Sequence, residues 1–392
     1  MRFLEEELDA LRAAGLFRAP QTVERTGPTR VRVAGRECIL FCSNDYLGLA
    51  AHPRLQRAAS LAIERGGWGA GAARLISGTS PLHTELEEEL ARFEGAEAAV
   101  VFPTGYMTNV GAITALVGES DLLVCDRLNH ASIIDACRLS RAKFRVYPHA
   151  DVDALARILA RARRGGAPRP RRTLVVTDGV FSMDGDLAPL REIAAMKARC
   201  GFLLMVDEAH GTGVFGRHGR GAAEHLGVEE AVDVRMGTLS KAVGSIGGFI
   251  AGRRSLIELL VNKARSYIYS TALPPAACAA SMEGLRIIRE RPDLRRRLWK
   301  NISLLRNGLA RALRETLLPR PQAASPIMPI IVGEARRAVQ LSEALLDLGF
   351  LVAAVRPPAV PRGASRLRIT VSAAHTPTDI ARLCDALRDA GA

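Results

Sequence analysis

From residue 98 onward, short apolar runs alternate with stretches of helical length, and this alternation constrains the chain more than anything else in it. The runs 98–102, 122–125, 144–147, 173–177 and 202–206 are brief, dominated by aliphatic residues and bounded by polar turns, as buried strands are. Between them, 104–117, to 139, 151–162 and 190–200 have the length and period of helices. Such alternation predicts an α/β fold: a mostly parallel central sheet covered by helices, with chemistry at the C-terminal strand ends.

The flanks read differently. Residues 3–16 predict an amphipathic helix with an apolar stripe of Phe3, Leu4, Leu8, Leu11 and Leu16, and 31–41, broken by Gly35, predict a hairpin. Gly66 to Gly71 is glycine-dense, and Ser80-Pro81 opens a helix that carries His83, expected as readily on its surface as in a site. Beyond Pro275 one long helical stretch, 276 to about 316, precedes a proline-marked loop (319, 321, 326, 329). Strand 327–332, helix 335–348, strand 350–355, strand 366–371 and a helix from 377 then predict a smaller α+β domain. The expected division is an arm over 1–45, a large domain over 46–284 and a small one over 285–392.

A chain of 392 residues is long enough for two or three domains and a large core. The seven cysteines are odd in number and scattered without a CxxC pair, which argues against a disulfide framework and a zinc site and fits a reducing compartment. No apolar run is long enough to cross a bilayer, and the acidic amphipathic N-terminus lacks the apolar core of a signal peptide, so a soluble cytoplasmic protein is expected. The net charge of +13 raises nucleic acid as a partner. Its basic clusters, 161–172 and 289–300, are not interleaved with aromatics and read as solvated surface, so neither nucleic acid nor membrane is expected as a partner. No Walker A, HExxH or post-strand GxGxxG occurs, which leaves no metal motif and no dinucleotide fingerprint.

The candidate residues sit at predicted strand ends. Lys241 follows Thr238 and Ser240 and precedes a glycine-rich run, pinned between two apolar segments. A lysine there is either a solvated strand-end residue or a desolvated amine able to form a Schiff base with a carbonyl. Asp207 ends the strand 202–206 and can keep a ring nitrogen protonated. His130 follows the strand 122–125 and can stack on a flat ring. Gly105 and Tyr106 open a helix whose free N–H groups suit a phosphate. Together these groups describe a site for pyridoxal 5′-phosphate, a ring that acts as an electron sink.

The blocks DRLNHAS (126–132), DGVFSMDGD (178–186), VDEAHGTGVFG (206–216) and TLSKAVGSIGG (238–248) are similar to the signature blocks of the α-oxoamine synthases. SNDYLGL (43–49), SGTSPLHTELE (77–87) and YSTALPP (269–275) resemble the same family, in order along essentially the whole chain. The resemblance implies a fold-type I, aspartate-aminotransferase-like transferase that joins an amino acid to an acyl-CoA thioester with loss of CO2. It implies Lys241 as the cofactor-bound lysine and base, Asp207 as partner of the pyridinium nitrogen and His130 as the stacking ring. His210 and Ser182 would contact the phenolic oxygen. Gly105, Tyr106 and Thr238 would hold the phosphate, joined by Thr271 from the second subunit of a homodimer with shared sites. Arg368, with Asn44 nearby, would bind the amino-acid carboxylate, and Arg18 the acyl substrate. The loop 356–361 with 365–370 is most similar to the branch that condenses L-alanine with a pimeloyl thioester in biotin biosynthesis. Ala359 stands where that branch commonly carries a substrate-contacting threonine. The wording TLSKA is shared with enzymes that join glycine to acetyl-CoA, which leaves that reaction as the alternative.

Overall fold

A computed structural model describes residues 1–163, 169–313 and 325–391, and the chain divides into two compact units. The smaller unit contains Met1–Gly48, Ser182–Asp186 and Asp293–Ala392; the larger contains Leu49–Phe181 and Leu187–Pro292.

In the smaller unit, strands β1 (Val23–Arg25), β2 (Arg30–Val33) and β3 (Arg36–Leu40) form an antiparallel ladder turned at Gly35, whose φ of 81° suits a residue without a Cβ. The helix over Arg2–Ala13 forms as its periodicity predicts, but none of its residues is buried, so its apolar stripe faces outward.

The larger unit is built on seven strands: β4 (Ala98–Phe102), β5 (Leu122–Asp126), β6 (Lys143–Tyr147), β7 (Thr173–Asp178), β8 (Leu203–Asp207), β9 (Val234–Thr238) and β10 (Gly248–Gly252). Their order is β4-β10-β9-β8-β7-β5-β6. β9, β8, β7, β5 and β6 run parallel, and β10 is antiparallel to both of its neighbours. The sheet is therefore mostly parallel, as the alternation predicts. β5 and β7 are buried almost throughout, which their aliphatic composition allows because helices cover the sheet. Leu123, Val124, Leu174, Val175 and Val176 are fully buried, each contributing about 1.5–3 kcal/mol by leaving water. The helix Gly105–Leu116 is apolar on nearly all sides and lies within this core; at Gly111 a Cβ would strike the Phe102 ring and the Ser266 hydroxyl.

Ser80 and Pro81 start the helix Pro81–Glu94 as expected, but His83 is fully buried rather than on its surface. Its ring takes part in the capping box with Ser80, and its other nitrogen meets the Leu273 carbonyl at 2.9 Å. The helix Pro53–Gly66 was not expected. His52 caps it, and Ala58, Ala59 and Ala62 pack it against Ala276 and Ala279 of the helix Pro275–Glu290. Apart from Leu55 its contact face is made mostly of alanines, which give a weak periodic signal.

The remaining strands belong to the smaller unit: β11 (Ile327–Gly333), β12 (Phe350–Leu351), β13 (Ala353–Val355) and β14 (Ser365–Thr370). β12 runs parallel to β3, whereas β11, β14 and β13 form a separate antiparallel sheet, so the expected strand 350–355 divides between two sheets. The expected helix 276–316 is two helices, Pro275–Glu290 and Pro292–Ala312, because a proline lacks the N–H and clashes with the preceding turn. Residues 314–316 and prolines 319 and 321 lie outside the described residues. Neither basic cluster is purely solvated: Arg171 and Arg172 pair with Asp121, and Arg295 is buried. Residues 164–168 of the first cluster lie outside the described residues. Among the described residues no helix is long and apolar enough to cross a membrane.

Candidate active site

The carboxyl ends of β5, β7, β8 and β9 carry the polar residues of the larger unit. Asp207 closes β8 and is buried; Asn109 Nδ2 donates to its Oδ2 at 2.7 Å and the Ala209 N–H to its Oδ1 at 2.9 Å. Asn109 comes from the buried helix Gly105–Leu116, so the acid is oriented by the core itself. The same Asn109 nitrogen reaches Ser132 Oγ at 2.9 Å, and Ser132 meets His130 Nδ1 at 2.7 Å. The Ser132 N–H also points to Nδ1, which makes that nitrogen the acceptor and puts the ring proton on Nε2. Loss of solvation at the ring holds the His130 imidazole below its usual value; Asp207 opposes that shift and Lys241 adds to it. His130 is itself exposed on one side, as a residue meant to face a ligand would be.

Lys241 is half-buried in the segment between β9 and β10, and its charge is felt by both His130 and Asp178. Sequence-distant residues 130, 178, 207 and 241 thus converge in one electrostatic neighbourhood. His210 is buried in the turn after β8. That turn is anchored by Glu208, whose carboxylate accepts from the Ala222 and Ala223 N–H groups at 2.8 Å each. Burial raises Glu208 to about 7, against the pull of those two N–H groups.

Gly105 begins its helix after Thr104, whose hydroxyl caps the Met107 N–H at 3.1 Å. The first N–H groups of any helix lack partners within it, so Gly105 and Tyr106 sit at an open, positively polarised end. A Cβ on Gly105 would come within 3.5 Å of Thr238 Oγ1 and 3.3 Å of the Met236 methyl, which places Thr238 beside this helix start. Thr238 Oγ1 donates to the Gly247 carbonyl at 2.9 Å and meets Ser240 Oγ at 2.8 Å. Tyr106, half-exposed, is tethered by its hydroxyl to Asp135 at 2.7 Å. Thr271 is exposed, its backbone paired with that of Ala73. A flat heteroaromatic ring bearing a phosphate and an aldehyde matches these groups: an open helix start with Thr238 beside it, a buried acid and an amine.

In the smaller unit Arg368, buried on β14, donates from Nε to the Ser182 carbonyl at 2.6 Å and from Nη1 to Asn44 Oδ1 at 3.2 Å. The structure thereby brings together three of the predicted residues, with a guanidinium edge suited to a carboxylate. Arg18 is exposed and donates to the Pro357 carbonyl at 2.6 Å, while Arg356 reaches back to the Gly15 carbonyl at 2.6 Å. Ala359 is exposed in the same loop, its N–H on the Arg356 carbonyl. Asn109, Ser132 and Glu208 were not singled out from sequence, although Ser132 and Glu208 lie within recognised blocks; Asn109 lies outside all of them, in the helix that Gly105 opens, and Asp178 lay in plain view at the head of DGVFSMDGD.

Comparison with known proteins points one way. The profile of the family described as "Aminotransferase class I and II" matches residues 36–387. An 8-amino-7-oxononanoate synthase from Geobacter sulfurreducens is 50% identical over 393 residues, covering 100% of this chain and 98% of that protein. One from Anaeromyxobacter dehalogenans is 50% identical over 94% of this chain and 90% of its own length. Among solved structures, serine palmitoyltransferase from S. paucimobilis, with PLP bound, superimposes with a TM-score of 0.92 at 34% identity, covering 99% of this chain and 96% of that one. An 8-amino-7-oxononanoate synthase from Francisella tularensis does so with a TM-score of 0.75 at 28% identity, covering 90% and 97%.

Proposed function

The chain belongs to the aminotransferase class I and II family and, within it, to the group of the 8-amino-7-oxononanoate synthases, and from that membership we propose that it condenses L-alanine with a pimeloyl thioester. The products are 8-amino-7-oxononanoate, CO2 and a free thiol, a step of biotin biosynthesis. It is a pyridoxal-phosphate-dependent acyltransferase of fold type I. The observation that carries the reading is the cluster of Lys241, His130 and buried Asp207 at the strand ends of the parallel sheet.

Bound pyridoxal phosphate supplies an electron sink for the charge that develops at the amino-acid Cα. The residues of the chain divide the remaining work. Lys241 would hold the cofactor through its amine and would serve as the base for the Cα proton of alanine. Asp207, held by Asn109, keeps a proton on the ring nitrogen, and a preorganised acid of this kind acts where charge develops. His130 would cover the cofactor ring, and His210 and Ser182 would contact its phenolic oxygen. Gly105, Tyr106 and Thr238 hold the phosphate at the helix start. Arg368 with Asn44 grips the alanine carboxylate until CO2 leaves, and Arg18 orients the acyl chain beside Ala359.

The enzyme acts as a cytoplasmic homodimer in which Thr271 reaches the phosphate of the partner's site. Trp68, Leu75, Ile76 and Tyr269 support this by leaving an apolar surface around the Ala73–Thr271 pairing. Thiol release measured across acyl-CoA lengths with alanine, glycine and serine tests the substrates. Maximal rate with alanine and the pimeloyl chain is expected; a preference for glycine with acetyl-CoA overturns the assignment in favour of the acetyltransferase reaction. Lys241→Ala is expected to abolish turnover, and retained turnover removes the lysine from the mechanism.

A further inference from the structure

Asp178 has no part in the chemistry above, yet it is buried at the end of β7 as the register partner of Asp207 on β8. Residues paired in this way project to the same face of a sheet, with strands about 4.8 Å apart. Two carboxyl groups therefore stand side by side where one would suffice for the cofactor. Burial, and after it the neighbouring Asp207, push Asp178 well above the usual carboxylate range, while the His130 N–H and the Lys241 charge pull the other way. An acid in that position is costly for folding unless its contacts compensate.

Its Oδ2 accepts the main-chain N–H of His130 at 2.8 Å. Its own N–H donates to Asn129 Oδ1 at 3.2 Å, and Asn129 Nδ2 donates to the Val176 carbonyl at 2.9 Å, so the segment before His130 is tied to β7 at both ends. The His130 ring is held separately by Ser132, Ser132 by Asn109, and Asn109 by Asp207. We propose that Asp178 is a positioning residue: by anchoring the His130 main chain it closes a hydrogen-bonded circuit, Asp178–His130–Ser132–Asn109–Asp207, that fixes the imidazole relative to the acid. The inference rests on the reading that His130 stacks on the cofactor ring and Asp207 partners its nitrogen. Without the anchor, His130 keeps its link to Ser132 but loses the support of its backbone, and the imidazole drifts from the ring face.

The test uses the full-length protein reconstituted with pyridoxal phosphate. Asp178→Ala removes the acceptor. The induced circular dichroism of the bound cofactor is expected to weaken, and kcat to fall by about 10- to 100-fold, the range a lost buried hydrogen bond produces, with KM for the amino acid little changed. Asp178→Asn keeps an acceptor of the same reach and is expected to retain the dichroism and most of the activity. An alanine variant with unaltered dichroism and kcat overturns the proposal, as does an asparagine variant that loses both. Should the alanine variant fail to fold, the near-isosteric asparagine variant still decides, since loss of its dichroism overturns the proposal. Borohydride reduction of the parent separates the two levels. A parent without the adduct on the Lys241 peptide overturns the cofactor reading, whereas a parent with it and an alanine variant of unchanged dichroism overturns only the role of Asp178.

Discussion

Asp121 precedes β5 at the amino edge of the seven-stranded sheet, and Asp178 ends β7 at its carboxyl edge; both are buried. Burial alone would push both upward. At the amino edge that push is outweighed: Asp121 accepts from Arg171 at 3.1 Å, from the Gly118 N–H at 3.0 Å and from the Arg172 N–H at 3.1 Å, and its carboxyl is held below the usual range. At the carboxyl edge the neighbour is Asp207, another acid, and the push prevails. One edge neutralises its acid with cations and serves to hold β5, β6 and β7 together; the main-chain N–H of Lys143 in β6 donates to the Asp121 carbonyl in the same knot. The other crowds like charges near an amine and an imidazole. A buried acid pushed upward beside a second acid, an amine and an imidazole is the mark of a site rather than of a structural joint.

The largest effect separating the edges is expected at Asp207. Asp207→Asn should retain the cofactor yet slow Cα–H exchange of alanine by about 10²–10³-fold, the cost of removing one preorganised electrostatic partner. Unchanged exchange, followed by NMR in D2O, would erase the distinction between the edges. Asp121→Asn should do the opposite. Weakening an ion pair whose arginines reach solvent lowers unfolding stability by about 1 kcal/mol in urea titration, with kcat per folded molecule unchanged. A drop in kcat there would mean that the amino edge is coupled to the chemistry.

Acid sharpens the comparison at a third buried group. His375, in the smaller unit, stacks on Phe41 at 4.0 Å, and burial lowers it from 6.5 to about 4. The Ser372 N–H points to its Nδ1, so its Nε2–H donates to the Leu40 carbonyl at 3.0 Å and the ring is held neutral. A depressed imidazole means that the unfolded chain binds the extra proton first. Stability therefore falls as pH drops from 6.5 towards 4, by at most about 3 kcal/mol from this group. Asp121, being depressed, keeps its contribution through that window and loses it only below about 3.8. Unfolding measured at pH 7, 5.5 and 4 should show the His375 loss in the parent and a flatter profile in His375→Gln; equal slopes would remove His375 as the source.

The central strands β5 and β7 were legible because each is a short apolar run buried almost throughout, and the helix starting at Ser80-Pro81 because capping chemistry is local. Lys241, Asp207 and His130 were legible for a related reason: parallel sheets put chemistry at strand ends, and each of the three follows a readable strand. The helix Pro53–Gly66 was not, since alanines carry its packing. Nor was the break at Arg291–Pro292, where both flanks have helical period and only the proline interrupts them. His83 is the plainest case of ambiguity, because a helix-borne histidine is buried or exposed according to what packs on it, and here the Leu273 carbonyl does.

What the residues determined alone is the order of elements and the candidate groups at the strand ends, since periodicity, caps and strand-end placement depend on neighbours within a few positions. Which strand lies beside which was decided only in three dimensions: β10 enters antiparallel between β4 and β9, and β7 lies beside β8. That second pairing sets Asp178 against Asp207, and Asn109 reaches across 98 residues of chain to hold the latter. Such contacts arise from packing against a shared core and the need to satisfy buried polar groups, and neither condition is written in any local stretch of sequence.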